Sequence, residues 1–245
     1  MNWILLRGLT REHAHWGDFP ERLQEAFPEH RFHTVDLPGT GVHYREDSPD
    51  RVPAIREAVR RQVDHITGPY SILALSMGGM VALDWAQHGE TGEIQQLVLI
   101  NTSSRFSRPW HRMRPAVWPR VLRLMARREL FDREKQILTM TSNRPVPLEL
   151  AKQWYRIQRQ RPVSLANARR QLMAAVSYRP SPVRPLPDAL LLASRGDRIV
   201  HWKCSQALEQ RWQWTLRLHP DAGHDLPLDD ADWVIRQIQG WLRGE

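Results

Sequence analysis

The run Tyr70-Ser71-Ile72-Leu73-Ala74-Leu75-Ser76-Met77-Gly78-Gly79-Met80-Val81-Ala82-Leu83 joins an apolar strand pattern to a helical one with no spacer between them. So abrupt a junction allows few folds: the helix must turn back beside its own strand, and the residue at the turn must take strained dihedrals. Small residues are then required two positions before and two after Ser76, and Ala74 and Gly78 meet that need. The turn directs the backbone N–H of Met77 and the positive end of the following helix toward whatever the Ser76 hydroxyl faces. Ser76 is therefore the candidate nucleophile. Taken alone, A-x-S-x-G is equally a small-residue turn that packs a helix on a sheet, so partners elsewhere in the chain decide the matter.

The surrounding pattern alternates. Strands are expected at 2–6, 31–35, 70–75, 94–100, 189–194 and 214–218, with helices near 16–23 and at 51–66, 77–88, 202–212 and 230–242. Strand and helix in alternation imply a parallel sheet and an α/β fold. After Asn101 the alternation stops, and proline-punctuated amphipathic segments predict four helices at 117–128, 132–140, 148–159 and 163–176. Residues 102–109 and 178–187 read as linkers, so 1–104 and 180–245 form the expected core and 105–179 a helical insertion.

At 245 residues the chain is long enough for one large domain, and no apolar run approaches the ~20 residues of a membrane span. The apolar stretch Trp3-Ile4-Leu5-Leu6 is too short for a signal-peptide core and has no basic segment before it. A single cysteine, Cys204, excludes an internal disulfide and a multi-cysteine metal site. A cytoplasmic location is expected. The net charge of +8 is unevenly spread: residues 105–179 hold 18 lysines and arginines against 4 aspartates and glutamates, so the rest of the chain is net acidic. This basic unit points to an anionic partner or substrate. An arginine-rich composition accounts for it better, since the lysines are Lys135, Lys152 and Lys203 alone. No nucleic-acid recognition motif accompanies the arginines.

A serine nucleophile needs a histidine base and a carboxylate to orient it. Asp197 closely follows the expected strand ending at Ser194, and His224 follows the last expected strand and precedes the last helix. Both would emerge at the C-terminal edge of the sheet, where open parallel sheets hold their sites. Either residue alone would pass for a turn or capping residue; the chain order Ser76, Asp197, His224 joins them.

With Leu5-Leu6-Arg7-Gly8, Asp36-Leu37-Pro38-Gly39-Thr40-Gly41, Leu75-Ser76-Met77-Gly78-Gly79, Gly196-Asp197-Arg198-Ile199-Val200 and Ala222-Gly223-His224 in that order, the chain resembles the α/β-hydrolase superfamily over nearly its whole length. It looks most like small bacterial esterases with a four-helix cap, and is similar to pimeloyl-acyl-carrier-protein methyl esterase-like enzymes. The resemblance implies ester hydrolysis through an acyl-enzyme on Ser76, with His224 as base, Asp197 as its orienting carboxylate, and an oxyanion hole from the backbone N–H groups of Met77 and Leu9. It implies no cofactor and no metal; His13-x-His15 has ligand-like spacing but no second cluster beside it.

Three departures from the family pattern stand out. Ala74 replaces a glycine, Arg7 stands where histidine is usual, and the first strand is the family's third, leaving a sheet of about six strands without the leading hairpin. Trp110, Met113, Trp118, Met125, Phe131, Met140, Trp154, Tyr155 and Met173 supply apolar surface in the insertion, most of it expected to pack the cap helices together and the rest to roof an acyl pocket. The expected substrates are small to medium acyl esters, or esters or thioesters on an acidic carrier protein docked at the basic cap. The competing non-enzymatic reading is a catalytically dead hydrolase fold used as a binding module. Asp225 is a second carboxylate beside His224 that could stand in for Asp197.

Overall fold

The computed structural model describes residues 1–127 and 129–245, with Met125 and Ala126 described by their backbone alone. Six strands, β1 (Asn2–Leu6), β2 (Arg31–Val35), β3 (Tyr70–Leu75), β4 (Ile94–Ile100), β5 (Leu190–Ser194) and β6 (Thr215–His219), form one sheet in the order β2-β1-β3-β4-β5-β6. Every pairing is parallel. Helices α1 (Phe19–Ala26), α2 (Val52–Val63), α3 (Met77–His88), α9 (Lys203–Trp212) and α11 (Ala231–Leu242) cover its faces, and a short α10 (Leu226–Asp229) precedes the last of them.

Because both faces are covered, the central strands are apolar at successive positions rather than alternate ones. Ile4, Leu6, Ile72, Ala74, Leu97 and Leu99 pack with Val59, Val81 and Trp85 on one face. Trp3, Leu5, Leu73, Leu75, Val98 and Ile100 pack with Phe19, Leu23, Val234 and Ile238 on the other. A one-residue slip in any strand would exchange these two sets, so packing fixes the register. Each such side chain, fully buried, contributes about 1.5–3 kcal/mol before the entropy of ordering it is subtracted.

The strand order holds the key to the site. From β1 the chain moves outward to β2, then crosses to the other side of β1 to lay down β3. The connections leaving β1 and β3 therefore diverge, and a crevice opens between their C-terminal ends. Arg7-Gly8-Leu9 and Ser76 lie at its two lips.

Between β4 and β5 the chain forms α4 (Pro109–Arg112), a 3-10 turn at Pro115–Val117, α5 (Trp118–Ala126), α6 (Leu130–Thr141), α7 (Leu148–Gln160) and α8 (Leu165–Ser177). The last four are the helices expected from the sequence; Arg128, the expected end of the first, lies outside the described residues. The short α4 and 3-10 turn went unexpected, because pieces of three or four residues are too brief to show a period. Leu138, Ala151, Trp154 and Ile157 give this segment a small core of its own. Polar side chains tie it to the sheet domain. Asn167 accepts from Ser48 N (2.9 Å) and donates to Glu46 O (2.8 Å), while Gln171 accepts from Thr10 N (2.9 Å) and donates to Pro38 O (3.1 Å).

The loop after β2 is a clasp. Asp36 accepts from His13 N (2.6 Å), His13 Nδ1 (2.7 Å) and Val42 N (3.0 Å), so one carboxylate fixes both its own loop and the one following β1. Gly41 sits at φ 53°, and a Cβ there would overlap the Asp36 carboxylate. Gly17 also has a positive φ, of 61°, but open space around it. Gly41→Ala should lower stability by about 2–4 kcal/mol, from strain plus overlap, and Gly17→Ala by only about 1 kcal/mol. Urea unfolding midpoints check this, and equal shifts would show that the clasp does not matter.

Candidate active site

The residues picked out along the chain meet at the crevice. Ser76 is held at φ 56°, ψ −117° between β3 and α3. Its backbone is pinned on both sides, with Ser76 N donating to Ile100 O (2.8 Å) and Thr102 Oγ1 donating to Ser76 O (2.7 Å). The elbow is tight enough to need glycine twice over. A Cβ on Gly78 would lie 2.6 Å from Leu6 O, and one on Gly79 2.6 Å from Thr102 Oγ1. Ala74, the departure from the usual glycine, is fully buried in the sheet core.

The Ser76 hydroxyl lies 2.9 Å from His224 Nε2, and His224 Nδ1 lies 2.7 Å from Asp197 Oδ2. With Nδ1–H donating to the carboxylate, Nε2 is left to accept the serine proton. The other oxygen of Asp197 accepts from Ile199 N (2.7 Å) and Val200 N (3.0 Å), so the carboxylate is fixed by three donors and only 1% exposed. Burial of the His224 ring pulls its pKa down. The charge of Asp197 and its hydrogen bond, with a smaller push from Asp225, outweigh that and leave the pKa above the ordinary histidine value.

Leu9 and Met77 line the same cavity as Ser76 and His224. Among the described residues neither backbone N–H has a hydrogen-bond partner. Gly8 lets the loop after β1 approach, since a Cβ on it would lie 3.1 Å from Ser76 Cβ. The cavity, about 280 Å³, is walled by the sheet edge on one side and by Met113, Val121, Leu124, Ile137, Met140 and Trp154 from the inserted helices on the other. Met113, Met140 and Trp154 thus face the site as roof residues. Phe131 and Tyr155 pack edge to face with each other (5.9 Å), as expected of helix-packing residues. Trp110 and Trp118 are half exposed, and so is Met173; these three are not interior to the helical segment. The Met125 side chain lies outside the described residues.

Three features of the site escaped the sequence reading. Asn101, at φ 44°, donates from Nδ2 to His224 O (2.8 Å) and Gly223 O (3.3 Å) and accepts from Ser194 N (3.0 Å), so one amide registers the histidine loop against β5. Its position just after β4, in a conformation asparagine tolerates, was the available signal. Arg7 grips Asp225 through two hydrogen bonds (3.1 and 2.6 Å), both residues 2% exposed, and lies over Trp16 at 4.6 Å. This explains how arginine is accommodated behind the loop after β1, and it corrects an expectation. Asp225 is committed to Arg7 and not free to replace Asp197. Gln171, from α8, holds Thr10 beside Leu9.

His13 and His15 are each engaged by protein groups. His13 is bound to Asp36, whose hydrogen bond raises its pKa against the opposing effect of burial. His15 is buried, its pKa pushed well down by burial and by Arg11 and Arg7. No group of three or more metal-ligating side chains occurs among the described residues, and no helix there is long and apolar enough to cross a membrane.

The fold and its site define an α/β hydrolase: a model of the alpha/beta hydrolase family matches residues 3–237, and the chain belongs to that family. Its curated relatives are esterases. The pimeloyl-[acyl-carrier protein] methyl ester esterase of Nitrosomonas europaea is 26% identical over 236 residues, covering 96% of this chain and 82% of that protein. The enzyme of the same name from Xylella fastidiosa strain M12 is 24% identical over 254 residues, covering 98% and 94%. Among solved structures, an esterase from Exiguobacterium antarcticum shares the fold, with a TM-score of 0.76 at 14% identity over 99% of this chain and 92% of that one.

The raised pKa of His224 sets the sign of a pH effect. A histidine that takes the Ser76 proton works unprotonated, so with His224 in that role kcat/KM should fall on the acid side with a midpoint above that of an ordinary histidine. A pH–rate profile with its acid limb below that range would contradict the balance of burial and Asp197 described above.

Proposed function

We propose that this chain is a serine carboxylesterase acting on small to medium acyl esters. The hydrogen-bonded chain Ser76–His224–Asp197 on the floor of a largely apolar cavity carries the reading. His224 Nε2 takes the Ser76 proton as Oγ attacks the ester carbonyl. The oxyanion forms against the N–H groups of Met77 and Leu9, each such donor contributing ~3 kcal/mol to the transition state. His224, charged at that moment, is stabilised by Asp197 and returns its proton to the leaving alcohol. Water then repeats the sequence on the acyl-enzyme with His224 as base. Residues 105–179 act as the cap over this site, and their apolar side chains exclude water from it. The single thiol, Cys204, is buried, which suits a reducing, cytoplasmic setting.

A carrier-linked ester is the second reading, and two observations favour it. The relatives are named for acyl-carrier-protein esters. Several arginines of the cap are already spent on local acids, Arg144 on Asp221, Arg161 on Glu12 and Arg170 on Asp47. Of the others, Arg120, Arg123, Arg127 and Lys135 line an open cleft together with Arg198 of the sheet domain and one acid, Asp132, which Arg127 meets at 3.4 Å. Met140 lines both this cleft and the cavity of Ser76. An acidic carrier seated there would present its acyl chain near the serine. Faster hydrolysis of carrier-linked than of free esters, lost as salt rises, is the expected result; equal, salt-insensitive rates would remove the carrier. Matched oxygen and thio esters separate esterase from thioesterase.

A fluorophosphonate should label wild-type protein at Ser76, and Ser76→Ala should abolish both labelling and turnover with the fold intact by circular dichroism. Labelling elsewhere, or none, would sink the enzyme reading in favour of a binding module. Asp197→Asn should cost about 10⁴ in kcat, because the neutral amide can donate to Nδ1, favouring the wrong tautomer of His224, and no longer stabilises its charged form. Retention of most activity would mean that Asp225 leaves Arg7 to take over.

A further inference from the structure

The helices that wall the cavity of Ser76 are apolar on their outer sides as well. Val121 and Leu124 of α5 and Leu172 and Ala175 of α8 line the cavity, and Leu172 is also 37% exposed, so the cavity opens to solvent beside it. Their chain neighbours turn outward. Trp118 and Leu122, four residues apart and so on one side of α5, are 50% and 64% exposed, and Val176 of α8 is exposed too. Trp110 of α4 is half exposed, and Arg112 ties α4 to the end of α8 by donating to Val176 O (2.9 Å) and Ala175 O (2.5 Å). One exposed apolar residue is ordinary; two tryptophans and a leucine within residues 110–122, on helices that also form the cavity wall, mark a surface that meets something apolar.

The charge among them has one sign. Residues 105–128 hold eight arginines and no aspartate or glutamate. Among the described residues, Arg127 is the arginine of this stretch that meets an acid, Asp132 (3.4 Å), whereas Arg105, Arg108, Arg120 and Arg123 are exposed and form no ion pair. Arg108 lies over the Trp110 ring, 5.3 Å from its centroid. Arg144, Arg161 and Arg170, which do meet acids of the sheet domain, all lie beyond this stretch. An arginine carries its charge at the end of an apolar stem and a tryptophan its N–H on an apolar ring, so both settle at a lipid–water boundary. Interleaved without acids, they suit a bilayer surface whose headgroups are anionic. An acidic protein would complement the arginines and leave the outward rings unmatched; a lipid surface complements both.

We propose that the outer face of residues 105–128 docks the protein on an anionic lipid surface. Trp110, Trp118 and Leu122 enter the headgroup layer, and the exposed arginines pair with acidic headgroups. The cavity then opens against the bilayer, and esters partitioned into lipid reach it between α5 and α8. This goes beyond the esterase reading, and the binding itself does not depend on that reading.

Flotation of the whole protein with vesicles tests it. At low salt, vesicles of phosphatidylcholine with about 30% phosphatidylglycerol should bind wild type about tenfold or more tightly than phosphatidylcholine alone. Arg105→Gln with Arg108→Gln should lower that binding by about tenfold, and so should raised salt. Trp118→Ser with Leu122→Ser should also lower it by about tenfold although every charge is kept. Both double variants change exposed side chains alone, so circular dichroism and hydrolysis of a short water-soluble ester should match wild type. Binding that is lost in salt but indifferent to Trp118→Ser with Leu122→Ser is adsorption by charge alone and overturns the docking. Equal binding to the two kinds of vesicle overturns its anionic preference. No binding to either, with an acidic acyl carrier protein bound instead, gives this face to a protein partner and overturns the proposal. Because flotation needs no turnover, protein that binds the anionic vesicles yet cleaves no ester sinks the esterase reading and leaves the lipid surface standing.

Discussion

The rest of the structure is arranged around the close approach of β1's exit to the turn after β3. Ser76 can hold φ 56° only because its backbone is bonded to Ile100 and Thr102 and because Gly78 and Gly79 leave room for the strand and loop beside them. Strain of this kind costs of order 1–3 kcal/mol and persists where the surroundings over-determine it. Here they do so by parallel pairing: β3 lies between β1 and β4, so both neighbours press on the elbow at the same level. Gly8 on one side and Thr102 on the other act as jaws, and the serine hydroxyl is what protrudes between them.

Much of this was readable along the chain. The apolar runs at 2–6, 70–75 and 94–100 declared strands buried on both faces, and the bare junction at Ser76 declared the elbow. Chain order then identified Asp197 and His224, whose individual surroundings were unremarkable as sequence, and the structure brings all three within hydrogen-bond distance. What was not readable depends on contacts between distant residues. Nothing local to Arg7 reveals that it will meet a carboxylate 218 positions away. Nothing near Asn101 reveals that its amide will be shared between β5 and the histidine loop. Asp225 illustrates the limit: adjacency to His224 made it look available, whereas a buried arginine has claimed both its oxygens.

The basic insertion was legible as a charge count and misleading as a surface. A balance of 18 cations to 4 acids suggests a uniformly positive roof. In the folded protein three of those cations meet acids of the sheet domain: Arg161 meets the buried Glu12, and Arg144 and Arg170 meet Asp221 and Asp47 at the surface. Segregated charge along the sequence is thus partly an adhesive between the two parts of the chain. Glu134, one of the four acids of the insertion, is buried for the converse purpose, meeting Arg11 of the sheet domain.

Gln171 ties the insertion to the loop after β1. Its amide reaches from α8 to Thr10 N and Pro38 O, so a helix of the insertion sets the backbone beside Leu9, one of the two donors proposed for the oxyanion. On the proposed reading, the part of the chain that walls the cavity also sets the geometry beside the oxyanion. Selectivity and turnover would on that reading be heritable as one unit: an insertion grafted from another hydrolase would register in kcat as well as in KM, unless it brought its own glutamine to the same place.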